Sequence, residues 1–241
     1  MKNRVLSILL AISLLLTACG SKDPPEGAQT GSSTPVNAVT EGPTKAADWI
    51  LIPQQIEQTA ASVVRLEVYD KHGTRIGLGT GFAAMDTGIL VTANHVVKDM
   101  DHARATADDG SEFTVDSVLV ADEADDIAIV KLPKDVSLPV LKAGEVPLRG
   151  EPTAVIGSQA GVVNLVSVGN YNGIWEHEDA VRYLFSSPVS GGSSGAPLFN
   201  RHGEVIGIVS GTYDKAQNLN IAVPMEKAFA LYKQFTEDKE K

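Results

Sequence analysis

The chain has a single cysteine, at position 19 of 241 residues, so it can form no intramolecular disulfide and no cysteine-rich zinc site. Aromatic residues make up only 5% of it. Basic residues are also scarce: 20 Lys and Arg stand against 30 Asp and Glu, a net charge of −10. Phosphate backbones are gripped by clustered Lys and Arg, so nucleic acid is not expected as a partner. What is present is an ordinary globular composition, 43% hydrophobic and 21% charged, which excludes a wholly disordered or collagen-like chain. A chain of this length buries roughly 70–75% of its unfolded surface, enough for one or two sizeable cores without staples. No internal repeat of fixed period is present.

The first residues read as an address. Lys2 and Arg4 precede an almost purely apolar run, Val5 to Leu16. At about 12 residues it falls short of the roughly 30 Å hydrocarbon core, which favours a signal peptide over a transmembrane helix. Leu16-Thr17-Ala18-Cys19-Gly20 follows and resembles the lipobox of bacterial lipoproteins. That resemblance implies a signal peptide over 1–18, cleavage before Cys19 and lipidation of Cys19. It also implies a cell-envelope location outside the cytoplasm, with Gly20 pointing to the outer membrane in a Gram-negative host. From Gly20 to Lys45 the chain is rich in Gly, Pro, Ser and Thr and has no aromatic residue, so 19–45 reads as a lipidated, disordered tether. About 26 such residues reach roughly 25–30 Å. The folded domain is expected over 46–241.

There the pattern becomes many short β-type runs, after a short helix over Ala47–Thr59 interrupted at Pro53. The runs are Val63–Tyr69, Gly79–Ala84, Ile89–Thr92, Val115–Ala121, Ile127–Leu132, Thr153–Gly157, Leu165–Ile174, Arg182–Ser186, Ala196–Phe199, Val205–Gly211 and Asn220–Val223. Turn signals such as Lys71-His72-Gly73, Asp108-Asp109-Gly110 and Arg201-His202-Gly203 separate them. Many short strands with few helices predict an all-β sandwich or barrel. After Pro224, residues Met225, Ala228, Phe229, Tyr232 and Phe235 recur at helical spacing. They predict an amphipathic closing helix with Glu226, Lys227 and Lys233 facing outward.

Three segments carry chemistry, in the order His, Asp, Ser. Val91-Thr92-Ala93-Asn94-His95-Val96-Val97 delivers a histidine at the end of a β-run, and His95 alone among the five histidines sits among apolar residues. Taken singly it reads as well as a core histidine. Asp126 opens the apolar strand Ile127–Leu132; alone it is a turn residue, but a base histidine could donate to it and be oriented by it. Asp126 is preferred to Asp125 because it abuts the strand. Ser190-Gly191-Gly192-Ser193-Ser194-Gly195-Ala196-Pro197 places glycines on both sides of a serine, which lets successive N–H groups line one concavity. Alone it is a flexible loop, yet it runs directly into an apolar strand.

Together these segments resemble the chymotrypsin-fold serine proteases, most closely their cysteine-free, HtrA-like branch. The likeness rests on Gly79-Thr80-Gly81-Phe82, Thr92–Val97, Asp126–Leu132, Ala154-Val155-Ile156-Gly157-Ser158, Gly192–Leu198, Gly203–Val209 and Asn220–Pro224. It runs from about Gln55 to Phe235. It implies two six-stranded antiparallel β-barrels with a C-terminal helix, and a cleft joining His95 and Asp126 to Ser194. Ser194 would be the nucleophile, His95 the base, Asp126 its orienting acid, and the N–H groups of Gly192 and Ser194 the oxyanion hole. No metal or organic cofactor is implied; protein or peptide substrates are. His95 acts as base only when neutral, so activity is expected to rise with pH through roughly 6–7.5.

Five departures qualify the likeness. Ser193 stands where the family has Asn or Asp, and Ala196 where it has a second glycine. Pro188 occupies the position that is Asp in enzymes cutting after Lys or Arg, and with Ser210, Gly211 and Ala222 as pocket wall it suggests a small or medium apolar preference. The family's usual PDZ domain is not expected here. Val189-Ser190-Gly191 also differs from the family, which leaves open a latent resting loop, or a protease-fold lipoprotein that binds a partner without turnover. The acidic group Asp122, Glu123, Asp125 and Asp126 reads as a solvated turn rather than a Ca²⁺ loop. Trp175–Asp179 reads as a hairpin tip, and Gly157–Gly161 is no phosphate loop because no lysine follows.

Overall fold

The computed structural model describes residues 53–177, 180–213 and 216–240. The leader and tether assigned to 1–45, with Cys19, and the start of the helix expected from Ala47 lie outside the described residues. Pro53 opens α1 (Pro53–Ala60), where its missing N–H costs nothing.

The first half of the domain holds β1 (Val63–Tyr69), β2 (Arg75–Phe82), β3 (Ile89–Thr92), the helical turn α2 (Asn94–Val97), β4 (His102–Thr106), β5 (Glu112–Val115), β6 (Ser117–Asp122) and β7 (Ile127–Lys131). These strands pair antiparallel in the order β5-β4-β1-β2-β3-β7-β6. The two edges, β5 and β6, are consecutive in the chain and separated only by Asp116. The run expected as one strand over Val115–Ala121 is therefore broken there and reaches both edges of a curled sheet, which counts as a six-stranded half-barrel with one divided strand. Sequence reading passed over β4 because His-Ala-Arg-Ala-Thr has weak strand propensity. Ala103 and Ala105 nevertheless face inward and are fully buried.

The second half is a closed barrel in the order β10-β13-β12-β11-β8-β9. Its strands are β8 (Pro152–Gly157), β9 (Leu165–His177), β10 (Ala180–Phe185), β11 (Pro197–Phe199), β12 (Val205–Thr212) and β13 (Asn220–Pro224). Helix α3 (Met225–Lys239) follows directly.

Three cores hold these parts, and strand alternation decides which residue enters which. Leu90, Ala128 and Val130 point into the first barrel, and Val155, Leu198, Ile206 and Val209 into the second. Their neighbours Ile89, Val91, Ile127 and Ile129 point the other way, against Ala154, Ile156, Phe199, Val205 and Ile208. That third cluster is the seam between the barrels, and Met225 and Ala228 of α3 pack into it. Strands buried on both faces read as unbroken apolar runs, which is why Ile127–Val130 shows no polar alternation. Each fully buried aliphatic side chain contributes roughly 1.5–3 kcal/mol. The seam therefore fixes the two barrels rigidly against each other.

One helix charge departs from expectation, while Glu226 is exposed as expected. Lys227, expected to face solvent, instead donates to Asp125 of the β6–β7 turn, and Glu226 accepts a hydrogen bond from Tyr183 Oη at 3.0 Å. Both lie in the first turn of α3, where the helix meets the barrels.

Candidate active site

His95 lies in α2, one turn beyond the end of β3, rather than on the strand itself. Its Nδ1 lies 2.9 Å from Asp126 Oδ2 and 3.0 Å from Oδ1. Its backbone N–H also donates to Asp126 Oδ1 at 2.9 Å. A third donor, Ser210 Oγ on β12 of the second barrel, reaches Asp126 Oδ2 at 2.5 Å. In neutral His95 a carboxylate facing Nδ1 places the proton there, so Nε2 carries the lone pair.

The charges follow from this geometry. The hydrogen bond that His95 donates to Asp126 raises the His95 pKa above the ordinary imidazole value, against the opposing effect of burial. Burial pushes the Asp126 carboxyl up, but hydrogen bonds from the His95 ring, Ser210 and the His95 backbone outweigh it and hold the group below the usual carboxylate range. Asp126 has φ 59°, a left-handed conformation unusual for a side-chain-bearing residue. Asn94 N–H accepts the constraint from the other end by donating to the Asp126 carbonyl at 3.2 Å.

The serine loop is held differently, by its carbonyls. Gly191 C=O accepts from Ala160 N–H at 2.8 Å, Gly192 C=O from Thr80 Oγ1 at 2.7 Å, and Ser193 C=O from Ala196 N–H at 3.0 Å. In a trans peptide the N–H points opposite to the C=O. Anchoring the Gly191 and Ser193 carbonyls therefore turns the Gly192 and Ser194 N–H groups to the other side, and among the described residues neither donates a hydrogen bond. Glycine is required at two points here. Gly192 has φ +98° and a Cβ there would lie 2.2 Å from Ser158 O; Gly195 has φ +83° and a Cβ would lie 2.2 Å from Thr80 O. That close approach seats the Ser194 segment against Thr92 and Ala93, next to the turn bearing His95. Among the described hydrogen bonds, none joins Ser194 Oγ to His95 Nε2.

Thr80, in the Gly79–Phe82 motif, has a role that the family likeness did not imply. Fully buried, it donates its N–H to Ser194 O at 2.8 Å and its Oγ1 accepts from Ser158 N–H at 2.9 Å. Its carbonyl accepts from Thr92 Oγ1 at 2.7 Å. One side chain of the first barrel thus fixes the loop of the second. A buried threonine between glycines was the available signal.

Of the four expected pocket residues, Pro188 lines a cavity of about 280 Å³ with Val189, Thr212, Tyr213 and Asn220. Ser210 and Gly211 lie beside it on β12, with the Ser210 hydroxyl committed to Asp126. Ala222 is fully buried inside the second barrel, opposite Tyr183 and Val209, and is not among the residues lining this cavity. Asn220 takes the place near the pocket, donating from Nδ2 to Ser187 O at 2.8 Å. Among the described residues no group of three His, Cys, Asp or Glu is placed to hold a metal ion.

Residues 79–208 match the model of the trypsin-like peptidase domain. The chain belongs to the trypsin-like peptidase family. Its relatives include an anti-sigma-I factor of Acetivibrio thermocellus, 31% identical over 80% of this chain and 27% of that protein. Others are the serine protease HTRA1A of Danio rerio, 31% identical over 73% of the chain and 39% of the relative, and a probable periplasmic DegP-like serine endoprotease of Pseudomonas fluorescens, 32% identical over 66% and 35%. The chain thus spans well under half the length of these relatives. A solved HtrA-type protease with a tripeptide superposes with a TM-score of 0.67 at 22% identity, covering 74% of this chain and 61% of the other, which matches the two-barrel architecture. The chain is thus similar to HtrA- and DegP-type proteases and shares the trypsin fold.

Proposed function

We propose that this peptidase is a serine endopeptidase whose triad is His95, Asp126 and Ser194, anchored through a lipid on Cys19 and acting on envelope or extracellular proteins. The observation that carries it is the three-donor grip on Asp126 beside a serine loop whose Gly192 and Ser194 N–H groups are free. Ser194 Oγ attacks the peptide carbonyl as His95 Nε2 takes its proton, and the resulting oxyanion is received by the N–H groups of Gly192 and Ser194. His95 then protonates the leaving amine, and water releases the acyl group by the same route. Asp126 keeps Nδ1 protonated and stabilises the imidazolium. The anchored carbonyls favour an open oxyanion hole over a latent loop.

Beyond Val209, which bonds Ala196, the outer edge of β12 from Ser210 to Thr212 has no strand partner among the described residues. An extended peptide can add there as an antiparallel strand. The neighbouring cavity has no charged residue in its described lining, which favours a neutral side chain at the cleavage site.

The test is fluorophosphonate labelling of the detergent-solubilised full-length chain between pH 5 and 8.5, with Ser194→Ala beside it. Labelling should appear in the wild type alone and fade as pH falls through a His95 pKa raised above about 6.5. Equal labelling of both proteins, or none of either, overturns the assignment.

A further inference from the structure

We propose that Arg182, on the second barrel, is a positioning residue that holds the Ala124–Asp126 turn so that Asp126 faces His95. The inference rests on the triad reading above. Read from sequence, this acidic turn was expected to be merely solvated; the structure grips it instead. Arg182 Nη2 donates to Ala124 O at 3.0 Å and Nη1 to Asp125 Oδ1 at 3.1 Å. Lys227 Nζ, from α3, reaches the same Asp125 oxygen at 2.5 Å. Within the turn, Asp125 N–H donates to Asp122 Oδ1 at 3.0 Å. The Arg182 side chain is only 11% exposed and Asp125 22%, so these ion pairs are shielded rather than solvent-screened.

The grip sits one residue from the constraint it would serve. Asp126 is left-handed at φ 59°, a conformation that persists in a residue with a Cβ only where its surroundings over-determine it. On its C-terminal side β7 and the Asn94 N–H bond to its carbonyl do this. On its N-terminal side the Arg182 fork is what holds the preceding residues. A planar guanidinium can serve a carbonyl and a carboxylate in two directions at once, whereas an ammonium cannot reach both with the same rigidity. Arg182 itself is steadied by a bond from Nη1 to Val181 O at 2.8 Å and stands opposite Trp175 in the β9–β10 hairpin. The second barrel thus contributes to the acid of the first at two points, Ser210 on the carboxylate and Arg182 on the turn.

The experiment compares Arg182→Met and Arg182→Lys in the full-length chain. It reads kcat and KM per labelled site and, in the inactive Ser194→Ala background, the far-downfield proton resonance of His95 Nδ1–H. Arg182→Met should lower kcat about 10–100-fold with KM within about twofold, and broaden or abolish the resonance. Arg182→Lys keeps the charge and should recover part of both, and it serves as the test if the Met variant does not fold. An unchanged resonance and kcat in folded variant protein overturns the proposal. So does lost activity that only tracks lost folded protein. If the wild type shows the resonance but never turns over, the function reading fails, and the resonance of the Arg182 variants still decides the positioning role.

Discussion

The two sides of the cleft are built from different materials. On the first barrel, His95 and Asp126 are held by side-chain hydrogen bonds and charge, so their geometry depends on protonation. On the second, the Ser194 loop is held by backbone carbonyls and by glycines at positive φ, none of which titrates. Thr80 and Ser210 cross from each side to the other. The difference separates two kinds of failure: chemistry on one side, shape on the other.

Asp126→Asn should break the charged side most severely, lowering kcat about 10⁴-fold through the wrong histidine tautomer. Removing the hydrogen bond that raises the His95 pKa leaves burial, which lowers it, so the acid limb of any residual pH–rate profile should move below its wild-type position. A limb that stays put would show that Asp126 does not set the base. Next is Gly192→Ala. Its Cβ would collide with Ser158 O, displacing one N–H donor, for an expected loss of about 10²–10³-fold with the acid limb unmoved. If that variant shifts the limb, the two sides are coupled and the comparison fails. Smallest is Thr80→Val, nearly isosteric, which removes the acceptor of Ser158 N–H and the donor to Gly192 O. It should cost about 1–3 kcal/mol in thermal or denaturant unfolding and about tenfold in activity. Stability loss without activity loss would mean that the loop holds its shape without this bridge.

Legibility followed interaction range. The runs Ile89–Thr92 and Ile127–Leu132 read as strands because apolar patterning is a local property. The turn glycines Gly73, Gly110 and Gly203, all at positive φ, marked hairpins for the same reason. Asp126 was separable from Asp125 by its place against the strand, and the structure gives the two adjacent carboxylates different partners, His95 for one and Arg182 with Lys227 for the other. The second pairing was illegible, since Arg182 lies 57 residues and Lys227 102 residues from Asp125. β4 was missed because barrel closure, not propensity, makes Ala103 and Ala105 a strand. Ala222 and Asn220 lie two residues apart on the same face of β13, and only depth along the strand sets Asn220 at the cavity and Ala222 inside the barrel.

The sequence by itself determined the β-rich architecture, the closing helix, the His–Asp–Ser order and the glycines that the loop conformation demands. These are statements about neighbours in the chain, where sterics and alternation act over a few residues. Only the tertiary structure decided that Thr80 anchors the serine loop, that Ser210 and Arg182 reach the acid's turn, and that Asn220 rather than Ala222 borders the pocket. Each of those depends on two barrels packed through one seam. Such packing brings together groups far apart in the chain, and no local pattern records which polar atom will find which partner across it.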